Sequence, residues 1–103
     1  MACYHSLYAR CFEAAYLYDY EDFAQCVINR YMDYLAQLQA RAFVTLWTEE
    51  TLEDFYSGVD IIFKDCEEKH GKGQTVVRMK LMQDVIINFA VSNAAKIFSA
   101  DDD

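Results

Sequence analysis

The sequence predicts an all-α fold, a single domain built as a bundle of four or five helices. Proline is absent from the 103 residues and glycine occurs only three times, so the chain lacks the turn residues that strands and hairpins need. Hydrophobic residues make up 54% of the chain, which is enough for a core and argues against disorder. These residues also recur at the spacing that places them on one side of a helix.

Two helices are predicted in the N-terminal half. Apolar residues at helical spacing predict the first helix over residues 4–18. Asp19, followed by Asp22 three residues later, has the spacing of a capping box and predicts the start of the second helix. The periodicity of this second helix permits it either to continue through residue 46 or to break near Gln39.

Two further helices are predicted in the C-terminal half. Thr48 or Thr51 can cap the third helix, and the acidic residues beside them favour the positive end of the helix dipole. Its predicted end is a cationic last turn followed by Gly71. The fourth helix is predicted to run from about Val76 to Phe98.

The third and fourth helices are expected to supply the central core. They complete a helical domain over residues 1–98, and the acidic residues 99–103 are predicted to fray. Tyr56, Leu81 and Ile97 also fall on the predicted apolar stripes. The residues predicted to meet in the centre are Phe55, Val59, Ile62, Phe63, Val85 and Phe89.

The chain is acidic, with 17 acidic residues against 9 basic ones and a formal net charge of −8. Such a surface repels phosphate groups, so the sequence disfavours direct nucleic-acid binding and binding to anionic membranes. No segment approaches the roughly 20 apolar residues that span a bilayer. The first residues lack the basic and apolar regions of a secretory signal. We therefore expect an intracellular protein of the cytoplasm or nucleus.

The four cysteines are expected to be reduced, because no export signal is visible. Cys11, Cys26 and Cys66 fall on apolar stripes, where a thiol behaves as a small hydrophobic group. We therefore expect these thiols to serve as packing groups in the core.

Candidate catalytic and metal sites are weak. Cys66 and His70 lie one helical turn apart, and Cys3 with His5 could complete a Cys2His2 zinc site. Both pairs lack the tight Cys-x-x-Cys spacing of zinc motifs, so we expect a core cysteine beside a helix-ending histidine. Residues 71–75 lack the glycine spacing of a phosphate-binding loop. Acidic clusters, one of which includes Asp54, are expected mostly at helix starts and on solvated helix faces. The sequence therefore predicts no catalytic residue, no cofactor and no metal site.

The first predicted helix is apolar around most of its circumference. Tyr4, Tyr8, Phe12 and Tyr16 follow one another at intervals of one turn and are expected to form a continuous ridge. A helix that is apolar all round is normally covered on all sides, and a short four-helix chain offers little cover. The ridge is therefore predicted to be an interface, with a protein partner or with a second copy in a homo-oligomer.

A second functional class stays open at this point. Small acidic helical proteins can act as inhibitors that mimic nucleic acid on a basic partner surface. The net charge of −8 permits this alternative, although basic residues near the start of the fourth helix interrupt the negative charge.

Residues 8–20, with the sequence YARCFEAAYLYDY, resemble the helix that follows the BTB/POZ fold in many fungal proteins. The pattern there is roughly His-Ala-Lys-Val-Tyr-x-Leu-Ala-x-Lys-Tyr-Asp-Ile, and Ala9, Ala15, Tyr18 and Asp19 match it outright. The likeness is a pattern spread over most of the chain.

Later segments extend the resemblance to about residue 92. Residues 54–63 are similar to the family's Asp-Phe-x-x-x-Ile-x-x-Val-Tyr helix, and residues 77–90 to its closing helix. The chain departs from the family in having no proline and no counterpart of the strand-bearing BTB core. The resemblance implies a C-terminal helical region, post-POZ or BACK-like, with adaptor and self-association roles and no catalytic residues.

Overall fold

The computed structural model describes residues 4–40, 49–66 and 75–94, and within these ranges it contains four helices and no strand. The predicted all-α fold is therefore confirmed. The helices are α1 (His5–Leu17), α2 (Glu21–Ala40), α3 (Glu49–Asp60) with a π-helical turn directly after it (Ile61–Asp65), and α4 (Thr75–Ser92).

Several expectations fall on residues outside the described ranges. These are the continuation of the second helix through residue 46, the end of the third helix before Gly71, and the frayed tail at residues 99–103. The predicted core residue Ile97 lies outside them as well.

The first and third helices run in the same direction along the bundle. The backbone N–H of His5 donates to the carboxylate of Asp54 at 2.8 Å, which joins the start of α1 to the middle of α3. One and a half turns further along α1, Arg10 lies 3.5 Å from the carboxylate of Asp65 at the end of the π turn. These two contacts fix the parallel arrangement of α1 and α3.

The second and fourth helices run opposite to α1. The guanidinium of Arg78, near the start of α4, donates to the carboxylate of Glu21 at the start of α2, at 2.9 Å. At the other end of the bundle, the ring of His5 lies against Tyr31 of α2 and Phe89 of α4. Consequently α1 packs against both α2 and α3, and α2 packs against α4.

The turn between α1 and α2 is formed by Asp19 in the left-handed conformation, with φ of 56°. The N–H of Tyr20 donates to the carbonyl of Ala15 at 2.9 Å, which is the long bond of a Schellman motif at the end of α1. Aspartate is among the few residues that tolerate this conformation. The predicted role of Asp19 as the N-cap of the second helix is therefore wrong: it ends α1, and Tyr20 directly precedes α2.

The core lies where all four helices meet, and it confirms the predicted centre in part. The prediction is wrong for Tyr56, Leu81 and Cys26, whose side chains are exposed. Leu81 is exposed because α4 packs against the core through a different side of the helix, the one that carries Met79. Of the predicted central residues, the buried ones are Phe55, Ile62 and Phe89, and those partly buried against the same core are Val59, Phe63 and Val85.

The end of α3 changes its winding at Ile61. A π-helical turn holds more residues than an α-helical turn, so the side chains after it shift around the helix axis. The shift buries Ile61 and Ile62 next to each other and keeps Cys66 in the core. Regular helical spacing omits Ile61 from the apolar stripe, so the sequence pattern did not include it.

Gly58 permits the close approach of α1 and α3. A Cβ atom at this position would lie 3.2 Å from the carbonyl oxygen of His5 and 3.3 Å from its carbonyl carbon. These are backbone atoms of the first residue of α1, which cannot rotate away as a flexible side chain would. The helices must separate to admit any larger residue.

We predict that Gly58→Ala destabilises the protein by about 1–2 kcal/mol, although alanine has the higher helix propensity. The neighbouring Ser57→Ala is the control, because Ser57 is exposed and the change should be neutral or slightly stabilising. Urea denaturation of both variants measures the free energy of unfolding. A Gly58→Ala variant as stable as Ser57→Ala would show that α1 and α3 are not held this closely.

Candidate interaction surface

The aromatic ridge predicted on α1 is only partly accessible. Tyr4 is exposed and Tyr8 is half-buried, but Phe12 and Tyr16 lie in the core. The interface prediction is therefore wrong for Phe12 and Tyr16. The physical reason is that α1 is the most covered helix of the bundle, since α2 and α3 pack on two of its sides.

The exposed end of the ridge packs against α2. The ring of Tyr4 lies edge-on to that of Tyr34 at 5.7 Å, and the Tyr4 N–H donates to the Tyr34 hydroxyl at 3.1 Å. Tyr8 contacts Tyr31 and Tyr34, with ring centroids 5.4 and 5.6 Å away. Most of the aromatic surface of α1 is thus used inside the bundle.

The start of α1 is capped by a carboxylate from another helix. Both oxygens of Asp54 on α3 take part: Oδ2 accepts the His5 N–H at 2.8 Å, and Oδ1 accepts the Ser6 N–H at 3.3 Å and the Ser6 hydroxyl at 2.5 Å. Tyr4, at the N-cap position, provides no side-chain cap of its own. The negative charge also lies at the positive end of the α1 dipole. The expectation that Asp54 belongs to a solvated acidic cluster is wrong.

His5 follows this cap and points into the core. Its Nδ1 atom and the Tyr31 hydroxyl lie 2.8 Å apart and share a hydrogen bond. The rings of Phe55 and Tyr34 stand edge-on to the imidazole at 5.1 and 5.3 Å. Burial lowers the pKa of His5 to about 4, against a smaller opposing effect of Asp54. Burial likewise raises the pKa of Tyr31 well above its ordinary value.

The two groups are therefore both neutral near pH 7, so this pair does not provide an acid and a base matched to neutral pH. Its arrangement is that of a buried, hydrogen-bonded core pair. Of the four residues considered for zinc, His5 and Cys66 are buried, while Cys3 and His70 lie outside the described ranges. Among the described residues, no group of three or more His, Cys, Asp or Glu side chains is placed to hold a metal ion.

An apolar groove opens between α3 and α4. Its volume is about 330 Å³, and its walls carry almost no polar surface. The groove exists because α3 turns its most buried face towards α1, which leaves Tyr56 and its neighbours at the edge towards α4. Its lining residues are Phe55, Tyr56, Val59 and Phe63 on one wall and Ile86, Ile87, Ala90 and Ala94 on the other.

The outer face of α4 is apolar as well, and it continues one edge of the groove. We define it by Val77, Leu81, Ile87 and Val91, of which Val77 is 58% exposed, Ile87 47% and Val91 71%. Because the opposite side of α4 is buried in the core, this helix carries apolar residues on both sides, with the exposed polar residues Lys80, Asp84 and Asn88 among those of the outer face. Surplus apolar surface of this kind marks interaction sites. The argument made for α1 from its sequence therefore applies to α4 in the structure.

Comparisons of the chain with protein-family models, with curated proteins and with solved structures find no match. The resemblance to the helical region after a BTB/POZ fold therefore stays a prediction. None of the described helices is both long and apolar enough to cross a membrane.

The outer face of α4 could have been found in the sequence. The run from Val85 to Val91 is a long apolar stretch that is broken by Asn88 alone. With Val77 and Leu81 it puts apolar residues on both sides of one helix, which is the same kind of signal that predicts an interface on the first helix. The Asp54 cap left no such signal, because its partners are 48 and 49 residues away.

The buried histidine predicts a pH-dependent stability. The unperturbed pKa is 6.5 and the folded pKa is about 4, so the fold favours neutral His5. Its contribution is therefore complete above pH 6.5 and is lost as the pH falls towards 4. Between pH 7 and pH 4 the loss from this group should be about 3 kcal/mol.

The measurement is urea denaturation of the wild type and of His5→Gln at both pH values. Each protein is compared with itself, so a constant cost of the substitution cancels. The wild type should lose about 3 kcal/mol more than the variant over this interval. Equal losses would mean that folding does not lower the pKa of His5.

Proposed function

We propose that this chain is a non-catalytic protein-interaction or oligomerisation module that binds through α4. The observation that carries the proposal is the apolar surface of this helix, formed by the groove with α3 and by the outer face. The groove brings Tyr56 to its mouth, and Tyr is enriched where proteins bind one another.

The lining of the groove favours a protein over a small molecule. Sites for small molecules are mostly apolar too, but they add a few polar groups that converge on the ligand and orient it. The walls here offer almost none. A helix or loop that brings its own hydrogen-bonded backbone and apolar side chains suits such a surface better.

The resemblance to the region after a BTB/POZ fold supports the same class of function, because it implies adaptor and self-association roles. Within this proposal the module works inside the cell, where thiols such as those of Cys11 and Cys26 stay reduced. It acts without catalytic residues and without a cofactor.

The experiment is site-specific photo-crosslinking in the host cells. A benzophenone amino acid replaces Ile87 at the junction of the groove and the outer face, and in a matched control it replaces Leu7, an exposed apolar residue of α1. We expect position 87 to give discrete covalent adducts, either with one identifiable protein or with a second copy of this chain. We expect position 7 to give none.

Adding Val91→Glu should abolish those adducts, since it puts a charge into the apolar surface at a position that is 71% exposed. Circular dichroism shows whether this variant stays folded. The proposal is contradicted if positions 7 and 87 give the same adducts. It is also contradicted if position 87 gives none.

A further inference from the structure

The outer face of α4 carries two opposite charges among its apolar residues. Lys80 and Asp84 are both exposed and stand one helical turn apart. Both lie on the same side of the helix as Val77, Leu81 and Ile87, because their spacing of three and four residues follows the helical repeat. The face therefore combines an apolar surface with one positive and one negative group.

These residues are arranged symmetrically along the helix. In two antiparallel copies of α4, positions that face each other share one midpoint. The midpoint of Lys80 and Asp84 is residue 82, and the midpoint of Val77 and Ile87 is also residue 82. Leu81 lies one residue from this level, so the two Leu81 side chains would meet beside the axis.

We infer that the outer face of α4 binds a second copy of this chain, with the two α4 helices antiparallel around a two-fold axis at the level of residue 82. This inference rests on the proposed function and names the partner. Around such an axis the same patch contacts itself, so each favourable contact occurs twice. Lys80 of each copy faces Asp84 of the other, and Val77 of each copy faces Ile87 of the other.

The charges select this orientation over its alternative. In a parallel pair, Lys80 would face Lys80 and Asp84 would face Asp84, and like charges placed together oppose association. In the antiparallel pair both contacts join opposite charges. The general repulsion between two chains of net charge −8 is weakened beyond about 8 Å at physiological ionic strength, whereas the facing pairs are closer than this.

The size of the patch sets the expected strength. The apolar side chains of this face that meet the other helix are Val77, Leu81 and Ile87, because Val91 lies beyond the part of α4 that overlaps its copy. Such a patch lies at the small end of specific interfaces, which typically bury about 1,600 Å². We therefore expect a dimer in exchange with the monomer, with a dissociation constant on the order of micromolar.

Sedimentation equilibrium of the full chain, from about 1 µM to about 1 mM, measures this constant. We expect the wild type to form dimers, and Lys80→Glu or Asp84→Lys alone to weaken them at least about tenfold by facing like charges. An equimolar mixture of these two variants should associate again, because each then faces opposite charges on the other. Lys64→Glu, an exposed change on the π turn, is the control and should leave the dimer intact.

A wild type that stays monomeric throughout overturns the inference, and so does a dimer that neither single variant weakens. Failure of the mixture to restore association, with both variants folded by circular dichroism, excludes this orientation. The outcomes stay separate from those of the proposed function: a monomeric chain whose position 87 crosslinks to another protein contradicts the dimer and supports the module.

Discussion

The bonds between the Asp54 carboxylate and the start of α1 determine how the rest of the bundle is assembled. They place the first residue of α1 against the middle of α3, where Gly58 leaves room for its backbone. His5 is then directed into the core, between aromatic rings of α2, α3 and α4. A helix end buried without such partners would leave backbone N–H groups unsatisfied, so the carboxylate makes this arrangement possible.

Placing α1 in this position decides which apolar surface stays outside. Its aromatic residues are covered by α2 and α3, so most of them pack in the core. The fourth helix packs mainly through one side, with Met79, Met82, Ile86 and Phe89 inward, and its outer face remains exposed. The groove beside it has the same origin, because α3 is drawn towards α1. Fold and candidate interaction surface are thus two results of one packing arrangement.

The sequence predicted the parts of this structure that depend on local spacing, namely the helices and much of the core. It did not predict the parts that depend on contacts between distant residues. The acidic residues around Asp54 indicate a solvated cluster, and only the packing of α1 shows which groups Asp54 caps. The predicted N-cap role of Asp19 is wrong for a different reason. Aspartate is favoured at the start of a helix and also tolerates the left-handed conformation that ends one. The apolar circumference of α1 predicts an exposed surface on that helix, but the packing of the bundle covers most of it and instead leaves apolar residues exposed on α4.

The free energy of unfolding of Asp54→Ala tests most directly whether the bundle depends on this cap. The variant loses acceptors for two backbone N–H groups and one hydroxyl, so it should be about 2 kcal/mol less stable than the wild type. Glu53→Ala removes the adjacent, exposed carboxylate from the same helix and should change stability by no more than about 0.5 kcal/mol. Equal stabilities of the two variants would contradict the central role of the Asp54 contact.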